Sequence, residues 1–68
     1  MKISARNQLP GRVEQITRGG PTANVSVSVA SMSMTAAITV EALEALGIKV
    51  GSDVIVIVKA SDVMLAVE

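Results

Sequence analysis

Apolar and polar residues alternate along most of this chain with the period of a β-strand, and each change in the alternation predicts a turn. Val25, Val27 and Val29 occupy odd positions with Asn24, Ser26 and Ser28 between them, the pattern of a strand with one buried face. Beyond Ala30 and Ser31 the apolar set moves to even positions: Met32, Met34, Ala36, Ile38 and Val40. A tight antiparallel hairpin requires this change, because directly opposed residues then have numbers that sum to a constant odd value and share a face. The turn carries neither Asn-Gly nor Asp-Gly, so the pattern leaves its type open.

Upstream, Leu9-Pro10-Gly11 predicts an interruption of the first extended segment, since proline within a strand belongs at an edge or a bulge. From Arg12 an imperfect alternation sets Val13, Gln15 and Thr17 against Arg12, Glu14 and Ile16. Arg18-Gly19-Gly20-Pro21 predicts the turn that follows. Thr39 fits the N-cap of a short helix over Val40–Leu46. Glu41 falls in the positive first turn, Val40, Leu43 and Leu46 share one face, and Gly47 ends the helix. Lys49-Val50-Gly51-Ser52 predicts another turn. Val54-Ile55-Val56-Ile57-Val58 is apolar at every position, which predicts a strand covered on both faces. A last strand is expected over Asp62–Val67, with Val63, Leu65 and Val67 on one side. Together these elements predict an all-β fold. Its expected form is a five-stranded OB-type barrel with one short helix between strands three and four, closed so that no edge is left exposed.

Sixty-eight residues predict a single domain over 1–68, and a core of that size is marginal without a staple. There is no Cys to form a disulfide, and no His to bind a transition metal or act as a base near neutral pH. Association with other copies is the staple that remains. A barrel covers only the inner face of Val54–Val58, so a partner subunit is expected on the outer face. No residue is aromatic, which leaves Val, Ile, Leu, Ala and four Met to fill the core.

The apolar runs are broken well short of the ~18 residues that a membrane span needs, and no apolar signal core follows Lys2. The net charge is zero, with no basic block for nucleic acid or an anionic membrane surface. These features predict a cytoplasmic protein with neither nucleic acid nor membrane as a partner. Without His, Cys or carboxylates paired at helical spacing there is no nucleophile–base set, so an enzyme is not expected. Asp62 reads as a turn residue.

Two short segments are rich in hydrogen-bond donors and free of carboxylates, although the chain has six Asp and Glu. They are Ile3-Ser4-Ala5-Arg6-Asn7-Gln8-Leu9 and Lys59-Ala60-Ser61, and their composition suits an anion. Ser4 offers a hydroxyl, while Ala5, Arg6 and Asn7 offer main-chain amides. Lys59 follows five apolar residues where one strand hands over to the next. Taken singly, Ser4 and Arg6 also fit a solvated terminus, and Lys59 also fits a strand-end lysine that reaches to water. Arg6 has two roles open to it, as a charged donor or as a main-chain donor whose side chain braces the site.

The segment Met1–Gly11, followed by Ala37-Ile38-Thr39 and Val58-Lys59-Ala60-Ser61, resembles the molbindin (Mop) family of small molybdate- and tungstate-binding proteins. It is also similar to the anion-binding domains of molybdate-responsive regulators and molybdate transporter ATPases. The resemblance covers essentially the whole chain, and its most specific part is Ser-Ala-Arg-Asn-Gln combined with Lys-Ala-Ser. It implies the same barrel, pairs of subunits with intertwined N-terminal strands, and a homo-hexamer built as a trimer of dimers. It further implies an oxyanion site at Ser4, Ala5, Arg6, Asn7, Lys59, Ala60 and Ser61, in which the Lys59 segment contacts the anion across a subunit boundary. Thr39 matches a position where the regulator-type domains carry a hydroxyl that reaches the anion, although capping the helix is a sufficient role for it. Ala42 departs from the pattern, because relatives often have Ser there.

A tetrahedral dianion such as molybdate presents only acceptors, so its pocket should present donors. Charge-assisted hydrogen bonds contribute about 1.5–3 kcal/mol each, and successive main-chain amides can supply several donors. Monohydrogen phosphate carries a proton that needs an acceptor, so a donor-only pocket disfavours it. The resulting expectation is intracellular binding, storage and homeostasis of molybdate, or of tungstate, with no cofactor and no directly ligated metal cation. One alternative is a ligand-free structural oligomerisation module, for which the doubly apolar Val54–Val58 would be the whole reason. Another is an OB-type nucleic-acid module, which the absence of aromatic residues and of basic charge opposes.

Overall fold

The parity change at Ala30-Ser31 is a hairpin. Val25 opposes Ala36, Val27 opposes Met34 and Val29 opposes Met32, a constant odd sum throughout. Ala30 takes a φ of +56°, a conformation that ordinarily selects glycine. The computed structural model describes the whole chain, Met1–Glu68. Its elements are β1 (Asn7–Gly19), β2 (Thr22–Val29), β3 (Met32–Thr39), α1 (Val40–Ala45), β4 (Asp53–Val58) and one 3-10 turn over Ala60–Asp62. The strands form one antiparallel sheet in the order β3-β2-β1-β4.

Strand β1 runs unbroken through Pro10 and Gly11, contrary to the expected interruption. Its two halves have different neighbours: Asn7–Arg12 pairs with β4, and Arg12–Gly19 pairs with β2. Pro10 lies where only β4 is alongside, so one flank of the strand is free to carry a residue without an N–H. At Gly11 the end of β2 comes very close. A Cβ there would lie 2.7 Å from the Ser28 carbonyl oxygen and 2.7 Å from the Val27 side chain, so glycine permits the contact. The register then shifts between Val13 and Gln15, leaving Glu14 as a bulge. The bulge turns both Val13 and Ile16 inward and accounts for the imperfect alternation in this segment.

The helix follows from its cap. The Thr39 Oγ1 accepts a hydrogen bond from the Ala42 N–H at 3.0 Å, and Leu43 points into the core, fully buried. The helix ends at Ala45, one residue short of the expected span. Leu46 therefore becomes its C-cap and is 70% exposed instead of lying on the buried face. Val13, Ala23, Val25, Val27 and Leu43 form the core, with Ile38, Ile48, Val54 and Val56 among the residues packed around it.

The expected fifth strand does not form. The chain leaves β4 through the 3-10 turn, in which the Asp62 N–H donates to the Lys59 carbonyl at 2.9 Å and the Val63 N–H donates to Ala60 at 3.3 Å. Alternation in Asp62–Val67 is only a precondition for a strand, which also needs an edge beside it, and the turn carries the segment off the sheet. Met64, Leu65 and Val67 stay more than 90% exposed. The result is an open four-stranded sheet with β3 and β4 as edges, not a closed five-stranded barrel. Along β4, Val54, Val56 and Val58 are half-buried while Ile55 and Ile57 are exposed, so the outer apolar face is bare in the single chain. No helix is long and apolar enough to cross a membrane.

Candidate functional site

The start of β1 and the end of β4 are neighbours because these strands are antiparallel, with Asn7 opposite Val58. The pairing brings the residues just before β1 alongside those just after β4, although more than fifty residues separate them in sequence. Ser4, Ala5, Arg6, Lys59, Ala60 and Ser61 line one open cleft of about 660 Å³, together with Ile3, Ile57 and Asp62. Six of the eight residues expected at the site therefore meet there.

The donors of the cleft are free, whereas three of its main-chain acceptors, the carbonyls of Ala5, Lys59 and Ala60, are taken. The main-chain N–H groups of Ser4, Ala5, Arg6, Ala60 and Ser61 donate to no acceptor within the chain. The first amides of a helical turn have no partner inside it, which is the physical reason for two of these. The hydroxyls of Ser4 and Ser61 and the charged groups of Arg6 and Lys59 are likewise unengaged. The Ala5 carbonyl, by contrast, accepts from the Gln8 Nε2 at 2.8 Å, and the Lys59 carbonyl accepts from Asp62. An anion entering the cleft meets donors that need no prior bond to be broken.

Two of the expected residues are placed differently. Asn7 does not line the cleft but braces it: its Nδ2 donates to the Val58 carbonyl at 3.1 Å. Thr39 caps the helix and opposes Thr22, which follows the hairpin from Gly19, whereas Lys59 follows the partner of Asn7. Thr39 and Lys59 thus belong to opposite ends of the 13-residue β1, and one chain does not bring them to one anion. Ala42 spends its main-chain N–H on the Thr39 hydroxyl, so it offers no free amide. The pattern identifies Asp62 only as a turn residue. It is that, and it also lines the cleft, so the cleft is not made of donors alone. Its position directly after Lys-Ala-Ser is the signal that could have pointed to it.

The sequence model of the TOBE domain family matches residues 3–65. Over 66 residues the chain is 41% identical to molybdenum-pterin-binding protein 2 of Clostridium pasteurianum, a match covering 96% of this chain and 97% of that one. A solved molybdate-binding protein from Sporomusa ovata superposes with a TM-score of 0.93 at 32% identity, covering 97% of this chain and 98% of the other. The cytoplasmic molybdate-binding protein ModG, in a crystal form with molybdate bound, gives a TM-score of 0.95 at 36% identity. That match takes in 100% of this chain and 49% of the ModG chain.

Proposed function

The chain belongs to the TOBE domain family, and from that premise we propose that it binds molybdate, with tungstate as alternative cargo, to store and buffer it inside the cell. The observation that carries this reading is the convergence of Ser4–Arg6 and Lys59–Ser61 on one cleft with their amides unengaged. Five or six charge-assisted donors at about 1.5–3 kcal/mol each are enough to hold a dianion against its hydration. Ser4 and Ser61 donate hydroxyls; Ala5, Arg6 and Ala60 donate amides; Lys59 supplies the compensating charge; and Asn7 holds the two segments together. The work is binding, not catalysis, and the molecule acts as a single domain in the cytoplasm.

The complete site lies between subunits. A cleft open on one side in the single chain lacks a wall, and Thr39 reaches an anion held by Lys59 only from a neighbouring copy. The bare face of Ile55 and Ile57 and the exposed Met64, Leu65 and Val67 supply apolar surface for such an assembly. A hexamer, arranged as a trimer of dimers, satisfies these demands. Calorimetric titration with molybdate, combined with native mass spectrometry, tests the reading by giving affinity, subunit count and anion count. An intact oligomer that takes up no molybdate would leave only a structural module.

A further inference from the structure

The cleft that gathers these donors also holds one acid. Asp62 lines it beside Lys59, Ala60 and Ser61, and its main-chain bond to Lys59 fixes it as the last residue of the 3-10 turn. Its carboxylate has no partner in the chain. The ion pairs are Arg12 with Asp53 at 3.5 Å and Arg18 with Glu44 at 3.3 Å, both outside this cleft. Arg6 and Lys59 share the cleft with Asp62 and pair with no carboxylate either. Two unpaired cations and one unpaired acid thus surround a set of free amides. The Asp62 carboxylate bonds none of these amides, so it stands in the cleft as an uncompensated negative charge. An oxyanion bound to those amides therefore meets a like charge in the same cleft, and the two repel each other.

We propose that Asp62 sets the affinity of the cleft: its carboxylate is a fixed like charge that weakens the binding of any dianion and keeps the cargo releasable. The proposal rests on the oxyanion reading above. Coulomb's law in water makes the repulsion between one carboxylate and a dianion about 7 Å away equivalent to roughly a five- to tenfold loss of affinity. The effect is one of charge, so it is equal for molybdate and tungstate and fades as salt shortens the screening length. A contribution from shape would not fade with salt. The fold does not need the carboxylate, because Asp62 is exposed and its turn bond is made by the main chain, which any residue other than proline provides.

The test is calorimetric titration of the full chain, in its native assembly, with sodium molybdate and separately with sodium tungstate, at low salt and at about 1 M sodium chloride. Asp62→Asn is expected to bind both anions about five to ten times more tightly than the wild type at low salt, with most of the gain lost at high salt. Asp62→Glu keeps the charge and is expected to stay close to the wild type. Equal or weaker binding by Asp62→Asn would overturn the proposal, since the acid would then stand clear of the anion or organise its donors. A gain that survives high salt, or that differs between the two anions, would overturn it as well. A wild type that binds neither anion removes the oxyanion reading and this inference with it. A wild type that binds beside an unresponsive Asp62→Asn removes only the role of Asp62.

Discussion

Asn7 donates its side-chain amide to the Val58 carbonyl at 3.1 Å, and the same two residues oppose each other in the β1–β4 ladder. One residue pair therefore sets the spacing between Ser4–Arg6 and Lys59–Ser61. Asn7→Ala removes the brace and is expected to lower stability by about 0.5–1.5 kcal/mol and to weaken molybdate binding roughly three- to tenfold, as the donor segments lose their alignment. Asn7→Asp should lose more, because it sets a carboxylate against a carbonyl at the mouth of an anion site. Titration calorimetry reads both variants, and unchanged affinity in Asn7→Ala would mean that the cleft is held by the ladder alone.

Lys59→Ala is expected to weaken oxyanion binding by about 1.5–3 kcal/mol while leaving the assembly intact, because it takes a charged donor from the cleft and no contact from the core. Lys59→Arg should also bind less well, since a planar fork does not reproduce a compact ammonium group. Native mass spectrometry with and without molybdate separates the loss of anion from any loss of subunits. Full affinity in Lys59→Ala would exclude this lysine from the site.

Gly11→Ala is expected to destabilise the protein by about 1–3 kcal/mol, because the new methyl group meets main chain and a branched side chain that cannot both withdraw. Gly19 is the control: a Cβ there meets nothing within 4 Å, so Gly19→Ala should stay within about 0.5 kcal/mol of the wild type. Chemical denaturation at a fixed protein concentration compares the two, and equal midpoints would contradict the close approach of β2 at Gly11.

Ile55→Asp should dissociate or destabilise the assembly, because the side chain lies 50% exposed on the outer face of β4 in the single chain and would bury a charge against a partner. Sedimentation of wild type and variant across micromolar concentrations reports the outcome. A wild type that sediments as a well-folded monomer would refute obligate association.

The β2–β3 hairpin was legible because the change of parity demands an odd sum of opposed positions, so that residues such as Val27 and Met34 share a face, whereas the particular register is set by the turn. Glu14 was half legible. Its broken alternation was visible, but a bulge is defined by the opposing strand, here Val27 and Ser26, which no local pattern reveals. Pro10 misled because its effect depends on which flank of β1 is paired. Asp62–Val67 misled because a strand pattern says nothing about whether an edge is available. The meeting of Ser4–Arg6 with Lys59–Ser61 depends on the long-range β1–β4 pairing, so the residues taken singly left it open and only the family resemblance anticipated it. Thr39 was legible as a cap because that interaction is local, within three residues.

The separation of 51 positions between Asn7 and Val58 also sets the order in which the molecule forms. The β2–β3 hairpin closes over a two-residue turn and is expected to form early in folding. Joining β1 to β4 closes a far longer loop, whose entropy must be met before its contacts reward it, so this pairing is expected to come later. The cleft exists only once that last pairing is made, and an anion that binds there has no equivalent site in the unfolded chain. By mass action molybdate then draws the final closing step toward completion, so the cargo acts as a latch on the fold that carries it.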